Sequence, residues 1–180
     1  LHILSIVAEE YPEQVTPAAD EVVGFLDEET HPELTMDAVQ IVAAIAEHEP
    51  DAVVDAVPKL ATLLQEGSPA ESVALTALKR IADAYPDAVV PVTRELITYT
   101  EQGSDSHRIG AIAVVGTLSK EYPNIAEDTI PTATQLLDAE NHKLRANAAG
   151  LLADLSDEYP EPIRDHTRRI IELLEDDDEK

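Results

Sequence analysis

The chain has 180 residues, no cysteine and a formal charge of −25 from 37 acidic and 12 basic side chains. Disulfide scaffolds, cysteine-ligated zinc and thiol catalysis are therefore excluded, and there are too few bases for a surface that binds nucleic-acid phosphates. Aromatic residues make up 3% and apolar runs such as IVAAIA at 41–46 fall far short of the ~20 residues of a membrane span. The expectation is a soluble, cytoplasmic, all-α protein with no nucleic-acid or membrane partner.

The first unit, about 1–29, joins an apolar helical segment to a second one through Tyr11-Pro12. Near copies of that corner return as Glu49-Pro50, Tyr85-Pro86, Tyr122-Pro123 and Tyr159-Pro160, with the prolines 38, 36, 37 and 37 residues apart. The units they mark run about 1–29, 30–67, 68–103, 104–139 and 140–175, followed by an acidic tail at 175–180. Numbering each unit from its corner proline, position −5 holds Val7, Ile45, Ile81, Leu118 and Leu155, and position −8 holds Leu4, Val42, Leu78, Val115 and Leu152. Both columns are wholly aliphatic, so the first helix of every unit is expected to bury the same face.

After the corner, position +10 holds Val22, Leu60, Leu96, Ala133 and Ile170, and +13 holds Phe25, Leu63, Tyr99, Leu136 and Leu173. With further apolar positions at +3, +7, +11 and +14, the second segment reads as an amphipathic helix. The corner proline ends the first helix, because the residue before it is forced out of the α region, and it then opens the second. The four corner tyrosines are expected to cover the turn with a wet hydroxyl, less completely where Glu49 replaces the ring. Pro17, Pro58, Pro91 and Pro131 predict a kink or a delayed start in the second helix. The links 27–33, 66–71, 102–106 and 138–142 carry Ser, Thr, Asp or Asn to cap the next helix.

One hairpin cannot cover both its apolar faces, so successive hairpins must stack and share a core as a single domain over 1–180. At this point the chain resembles the HEAT-repeat family, through the two-helix unit, the 37-residue period and LLDAENHKLRANAAGLLADLSDEYP at 136–160, with Asp138 before the link and Arg145 in the next helix. The acid-rich, lysine-poor composition resembles the haloarchaeal type of such proteins. The resemblance implies a right-handed α-α superhelix of about five hairpins, the first one truncated, with an Asp-Arg ladder between repeats. It also implies a non-enzymatic scaffold or adaptor that binds a protein partner along the concave face of the second helices, with no cofactor. Self-association through the truncated N-terminal end is a second expectation.

The polar stripe of the second helices follows positions +1, +5, +8, +9 and +12. Its candidate partner-binding residues are Asp20, Glu21, Asp55, Lys59, Arg94, Glu95, Asp128, Arg168 and Arg169. Arg164, Arg168 and Arg169 form the densest basic cluster, and helical spacing pairs Arg168 with Asp165 or Glu172. The acidity allows an alternative, an acidic decoy or chaperone for a basic protein. His48-Glu49 is the one pair that suits a HEAT-like metal-dependent enzyme, and no other unit repeats it; His31, His107 and His142 read as exposed link residues. No catalytic, cofactor-binding or metal-ligating residue is assigned, and the chain is expected not to be an enzyme.

Overall fold

The computed structural model describes residues 1–27, 31–64 and 68–177, with side chains described up to 174. Of the acidic tail expected at 175–180, the backbone of 175–177 ends the last helix, while 178–180, and residues 28–30 and 66–67 of the first two links, lie outside the described residues. Among the described residues the regular structure is entirely helical. The chain divides into two compact parts, residues 1–92 and 93–180, with the boundary inside the second helical segment of the third unit.

The first part contains α1 (His2–Glu10), α2 (Pro12–Val15), α3 (Ala19–Val23), α4 (Pro32–His48), α5 (Val57–Thr62), α6 (Glu71–Ala84) and α7 (Pro86–Val89). Within it α4 is flanked by α1 and α6, so three successive first helices stand side by side. The second part contains α8 (Thr93–Gln102), α9 (Asp105–Ser119), α10 (Pro123–Ala126), α11 (Ile130–Leu136), α12 (His142–Leu155), α13 (Pro160–Ile163) and α14 (Thr167–Asp177). There α9 packs on both α8 and α12, and α12 also receives α11 and α14.

All five corners have one backbone geometry. Tyr11, Glu49, Tyr85, Tyr122 and Tyr159 lie within φ −139° to −122° and ψ 60° to 66°, outside the α region, which a following proline disfavours. The N–H of each donates to the carbonyl of the −5 residue, at 2.7 Å to Val7, 2.8 Å to Ile45, 2.7 Å to Ile81, 2.8 Å to Leu118 and 2.9 Å to Leu155. Glu49 makes the same turn, so the proline and the carbonyl set the corner and the tyrosine ring is an addition. Tyr11 and Tyr85 are nearly half exposed, Tyr122 and Tyr159 less so.

The expected break in the second helix falls at +4 to +6 in every unit. It takes the form of 3₁₀ turns at Thr16–Ala18, Val90–Val92, Glu127–Thr129 and Arg164–His166, and of a longer one over Pro50–Ala56. Proline at +5 (Pro17, Pro91) or +8 (Pro58, Pro131) lacks the N–H that would reach back four residues, so it is tolerated where the ladder is already interrupted. The fifth unit breaks at the same place although its prolines are Pro160 and Pro162. The interruption therefore belongs to the repeat register and does not depend on proline.

The core follows the columns. Ile45, Ile81, Leu118 and Leu155 at −5, and Val42, Leu78, Val115 and Leu152 at −8, are all 0% exposed, and every +3 and +10 residue is buried. The first unit departs from the expectation of equivalent burial: Val7 is half-buried and Leu4 is 41% exposed. Whereas α4 has a helix on each side, α1 has α4 on one side only. Phe25 at +13 is likewise exposed, unlike the buried Tyr99, Leu136 and Leu173 in its column.

Of the expected caps, Asn141 performs as the sequence suggests, its Oδ1 accepting the Lys143 N–H at 3.0 Å. At α6 a capping box operates instead: the Ser68 N–H donates to Glu71 Oε1 at 3.0 Å, and Ser68 Oγ accepts the Ala70 N–H at 3.3 Å. That arrangement explains how a glutamate, 1% exposed, is accommodated at Glu71.

Candidate functional site

The stripe at +1, +5, +8, +9 and +12 faces solvent. In residues 1–92 it includes the exposed Asp20, Glu21 and Asp55, and in residues 93–180 the exposed Arg94, Glu95, Asp128 and Arg168. Only Lys59, Thr132 and Arg169, all at +9, are half-buried along it. Amphipathic spacing produces this outcome: once +3 and +10 turn inward in every unit, the positions on the far side of the helix cannot.

The half-buried +9 bases have a structural task. Lys59 Nζ lies 2.7 Å from Asp27 Oδ1 and donates to the Val23 carbonyl at 3.2 Å. Arg169 Nε lies 3.8 Å from Asp138 Oδ1, and its Nη2 donates to the Leu137 carbonyl at 3.5 Å. Asp27 and Asp138 both occupy position +15 of the preceding unit. A base at +9 therefore clamps the end of the preceding second helix, where free carbonyls and the negative end of the helix dipole favour a cation. The sequence reading placed both bases on a recognition surface; of the residues they hold at +15, Asp138 was singled out for a ladder with Arg145 and Asp27 was not singled out. The shared register of Asp27 and Asp138, one unit before a base, is the signal that would have found them.

The Asp-Arg ladder implied by the family resemblance takes a different form. Arg145 Nη1 donates to the carbonyls of Ala139 and Glu140, each at 2.9 Å, while Asp138 pairs with Arg169. Arg108, at the same register as Arg145, donates through Nε to the Thr100 carbonyl at 2.8 Å. These arginines close the link by capping carbonyls. Arg164 meets Glu161 at 3.3 Å and Asp165 at 3.5 Å, and Arg168 meets Glu172 at 3.1 Å. The basic cluster is thus largely paired within its own helix, as spacing predicts.

Among the grooves on these surfaces, two bear on the candidate residues. Between α8 and α10 a groove of about 510 Å³ is lined by Thr93, Arg94, Ile97, Thr98, Glu101, Asn124, Ile125 and Asp128. Four of these, Arg94, Thr98, Asn124 and Asp128, are stripe positions; Ile97 and Glu101 lay outside the sequence reading because one is apolar and the other falls at +15. In residues 1–92, α1, α4 and α6 frame a groove of about 330 Å³ on the opposite helix layer, lined by Ala8, Glu9, Gln40, Ala43, Ala44, Glu47, His48, Val73, Thr76 and Arg80. Arg80 there is held by the Glu47 carboxylate at 2.6 Å and the Ala43 carbonyl at 2.6 Å.

Among the described residues no three His, Cys, Asp or Glu side chains stand close enough to hold a metal ion. His48 and Glu49 are exposed at the corner, and His31 and His142 are exposed in the links. His107 is partly buried, its Nδ1 2.8 Å from Ser104 Oγ and its ring tilted against Tyr99 at 5.9 Å. Tyr159 titrates above the usual tyrosine value, pushed up by partial burial and then by the Glu127 carboxylate beside its hydroxyl. Among the described residues no helix is long and apolar enough to cross a membrane.

No family model matches the sequence, and no curated protein matches it. Solved structures do. The fold superposes with a TM-score of 0.77 on a designed armadillo repeat protein in complex with the peptide (KR)4, at 16% identity over 96% of this chain and 90% of that one. Computationally designed armadillo repeat proteins for modular peptide recognition superpose with a TM-score of 0.78 at 19% identity, over 96% and 82%. An engineered protein superposes with a TM-score of 0.78 at 20% identity, over 96% and 78%. At these identities the likeness shows the fold, an all-α helical-repeat solenoid of the HEAT and armadillo kind.

Proposed function

We propose that the chain is a non-enzymatic protein-interaction scaffold, acting as one repeat array over 1–180, that receives a segment of a partner protein along the exposed stripe of its second helices. The carrying observation is the stripe itself: a row of polar side chains turned outward in every unit, interrupted only where +9 residues are half-buried. Helical-repeat neighbours that bind peptides, one of them the basic peptide (KR)4, support a protein ligand over a small molecule. The charge of −25 favours a partner segment rich in Lys and Arg. The concave orientation of the stripe is part of the proposal.

A second surface competes with it. The groove framed by α1, α4 and α6 spans three units and carries Glu9 and Glu47 at its rim. Titration of isotope-labelled protein with a Lys-Arg octapeptide, followed by amide chemical shifts, separates the two. The scaffold reading expects shifts at Asp128, Glu95 and their neighbours; shifts confined to Gln40, His48 and Thr76 move the site to the other layer, and none at either salt extreme sinks the scaffold reading. The acidic-decoy alternative is favoured by a stretch of 58 residues without Lys or Arg. It requires diffuse shifts over that stretch and binding that vanishes at high salt.

A further inference from the structure

The molecule contains its own template for how a cation is taken between neighbouring second helices. At the first junction Lys59 reaches Asp27, and at the last Arg169 reaches Asp138, each base at +9 facing the acid at +15 of the unit before. Residues 93–180 contain a second junction in the same register, between the third and fourth units. Its +15 residue is again an acid, Glu101, but its +9 residue is Thr132. Threonine is too short to cross between helices and carries no charge.

At that junction lies the groove of about 510 Å³ between α8 and α10, with Glu101 in its wall. Its charged lining is two carboxylates, Glu101 and Asp128, against one base, Arg94, with Asn124 offering an amide beside them. Both acids are exposed and reachable from solvent. We propose that this groove is a cation slot left open in the row of inter-repeat clamps, and that a lysine or arginine side chain of the partner protein fills it, with Glu101 as the primary acceptor. The partner's base stands in for the missing +9 base, its stem lying against Ile97 and Ile125 and its charge reaching the two carboxylates. This deepens the scaffold reading, on which it rests, by naming the chemistry and place of one contact.

The test uses three variants of the whole chain, each one unit less negative than the wild type, so that general attraction between an acidic protein and a basic peptide is matched. Thr132→Lys supplies the absent clamp from within, Glu101→Gln removes the acceptor, and Glu121→Gln removes an exposed carboxylate outside the stripe. Affinity for a fluorescent Lys-Arg octapeptide is measured by anisotropy at fixed ionic strength, with circular dichroism to establish that each variant is folded. Thr132→Lys and Glu101→Gln are expected to weaken binding about three- to tenfold, the range of a partly exposed charge pair, while Glu121→Gln stays within about twofold of wild type. Equal affinities in all three variants overturn the slot and leave the scaffold reading standing. Absence of peptide binding by the wild type overturns both.

Discussion

Stacked hairpins that share an interior give one substitution two different costs at two positions of the same column. Leu4 and Leu152 both occupy −8, yet Leu4 is 41% exposed and Leu152 is fully buried. Truncating Leu152 to alanine removes a tail worth about 2.4 kcal/mol at ~0.8 kcal/mol per buried methylene. A residual cavity where α12 packs on its neighbouring helices adds roughly 1 kcal/mol, for a total of about 3.5 kcal/mol. At Leu4 the side chain is only part-buried, and the space it leaves opens to solvent, so the expected cost is about 1–1.5 kcal/mol with no cavity contribution. Urea unfolding followed by helical circular dichroism measures both. Global two-state behaviour is not guaranteed for an array, so amide exchange of α12 and α1 serves as the local readout. Equal costs, or a larger one at Leu4, would refute the claim that successive units bury a shared interior.

Glycine substitutions divide in sign. A Cβ on Gly103 would stand 2.9 Å from the Tyr99 carbonyl oxygen, so Gly103→Ala must displace backbone and is expected to cost about 1–3 kcal/mol, whereas Gly116 and Gly150, with open space around them inside α9 and α12, should gain about 0.5–1 kcal/mol as alanine in thermal melts. A loss at Gly116 or Gly150 would show that something occupies that face. Because the Tyr159 hydroxyl titrates above its unfolded value, the folded state holds its proton longer. Stability is unaffected below the ordinary tyrosine range and declines as pH rises through it toward the folded value; Tyr159→Phe should flatten this decline in urea midpoints, and an unchanged slope would remove Tyr159 as its source. If the acidity is an adaptation to salt, helical circular dichroism should fade on dialysis from about 3 M to about 0.05 M KCl as screening is withdrawn. A full signal with cooperative melting at low salt would instead favour acidity kept for a basic partner.

The repeat was legible because its markers are local chemistry. Proline disfavours the helical region for the residue before it, yet Thr16, Val57, Val90 and Ile130 stay helical before Pro17, Pro58, Pro91 and Pro131. The common spacing of five Xaa-Pro pairs is therefore what marked the five corners, and Glu49 conformed although it lacks the ring. The aliphatic columns were legible for the same reason, since helical spacing alone decides which side chains share a face. Leu4, Val7 and Phe25 were not legible, because burial of a repeat column depends on a neighbour outside the repeat itself. The site was half legible: spacing put Arg94, Thr98, Asn124 and Asp128 outward, but nothing local shows that Glu101 closes the same groove, or that Lys59 and Arg169 are committed to Asp27 and Asp138. Those pairings join residues about 32 positions apart, and only the superposition of units by register reveals them.

The use of the twelve bases carries the argument one step further. Lys59, Arg80, Arg108, Arg145 and Arg169 each donate to a backbone carbonyl of an earlier helix or link, at Val23, Ala43, Thr100, Ala139 and Leu137. A hydrogen bond from a cation to a backbone carbonyl is short-ranged and partly shielded from solvent, so ions screen it less than they screen repulsion between exposed carboxylates. Scarce positive charge is thus placed where it holds consecutive units together, and the exposed acids are left to the solvent and to whatever approaches. Two junctions lack a base at the clamp position: the third unit has Glu95 at +9 and the fourth has Thr132. Of these the 3/4 junction has an acid, Glu101, at +15 in the wall of the groove between α8 and α10. Inserting the clamp there by Thr132→Lys should strengthen the array and close the groove together, because both effects come from one cation in one place.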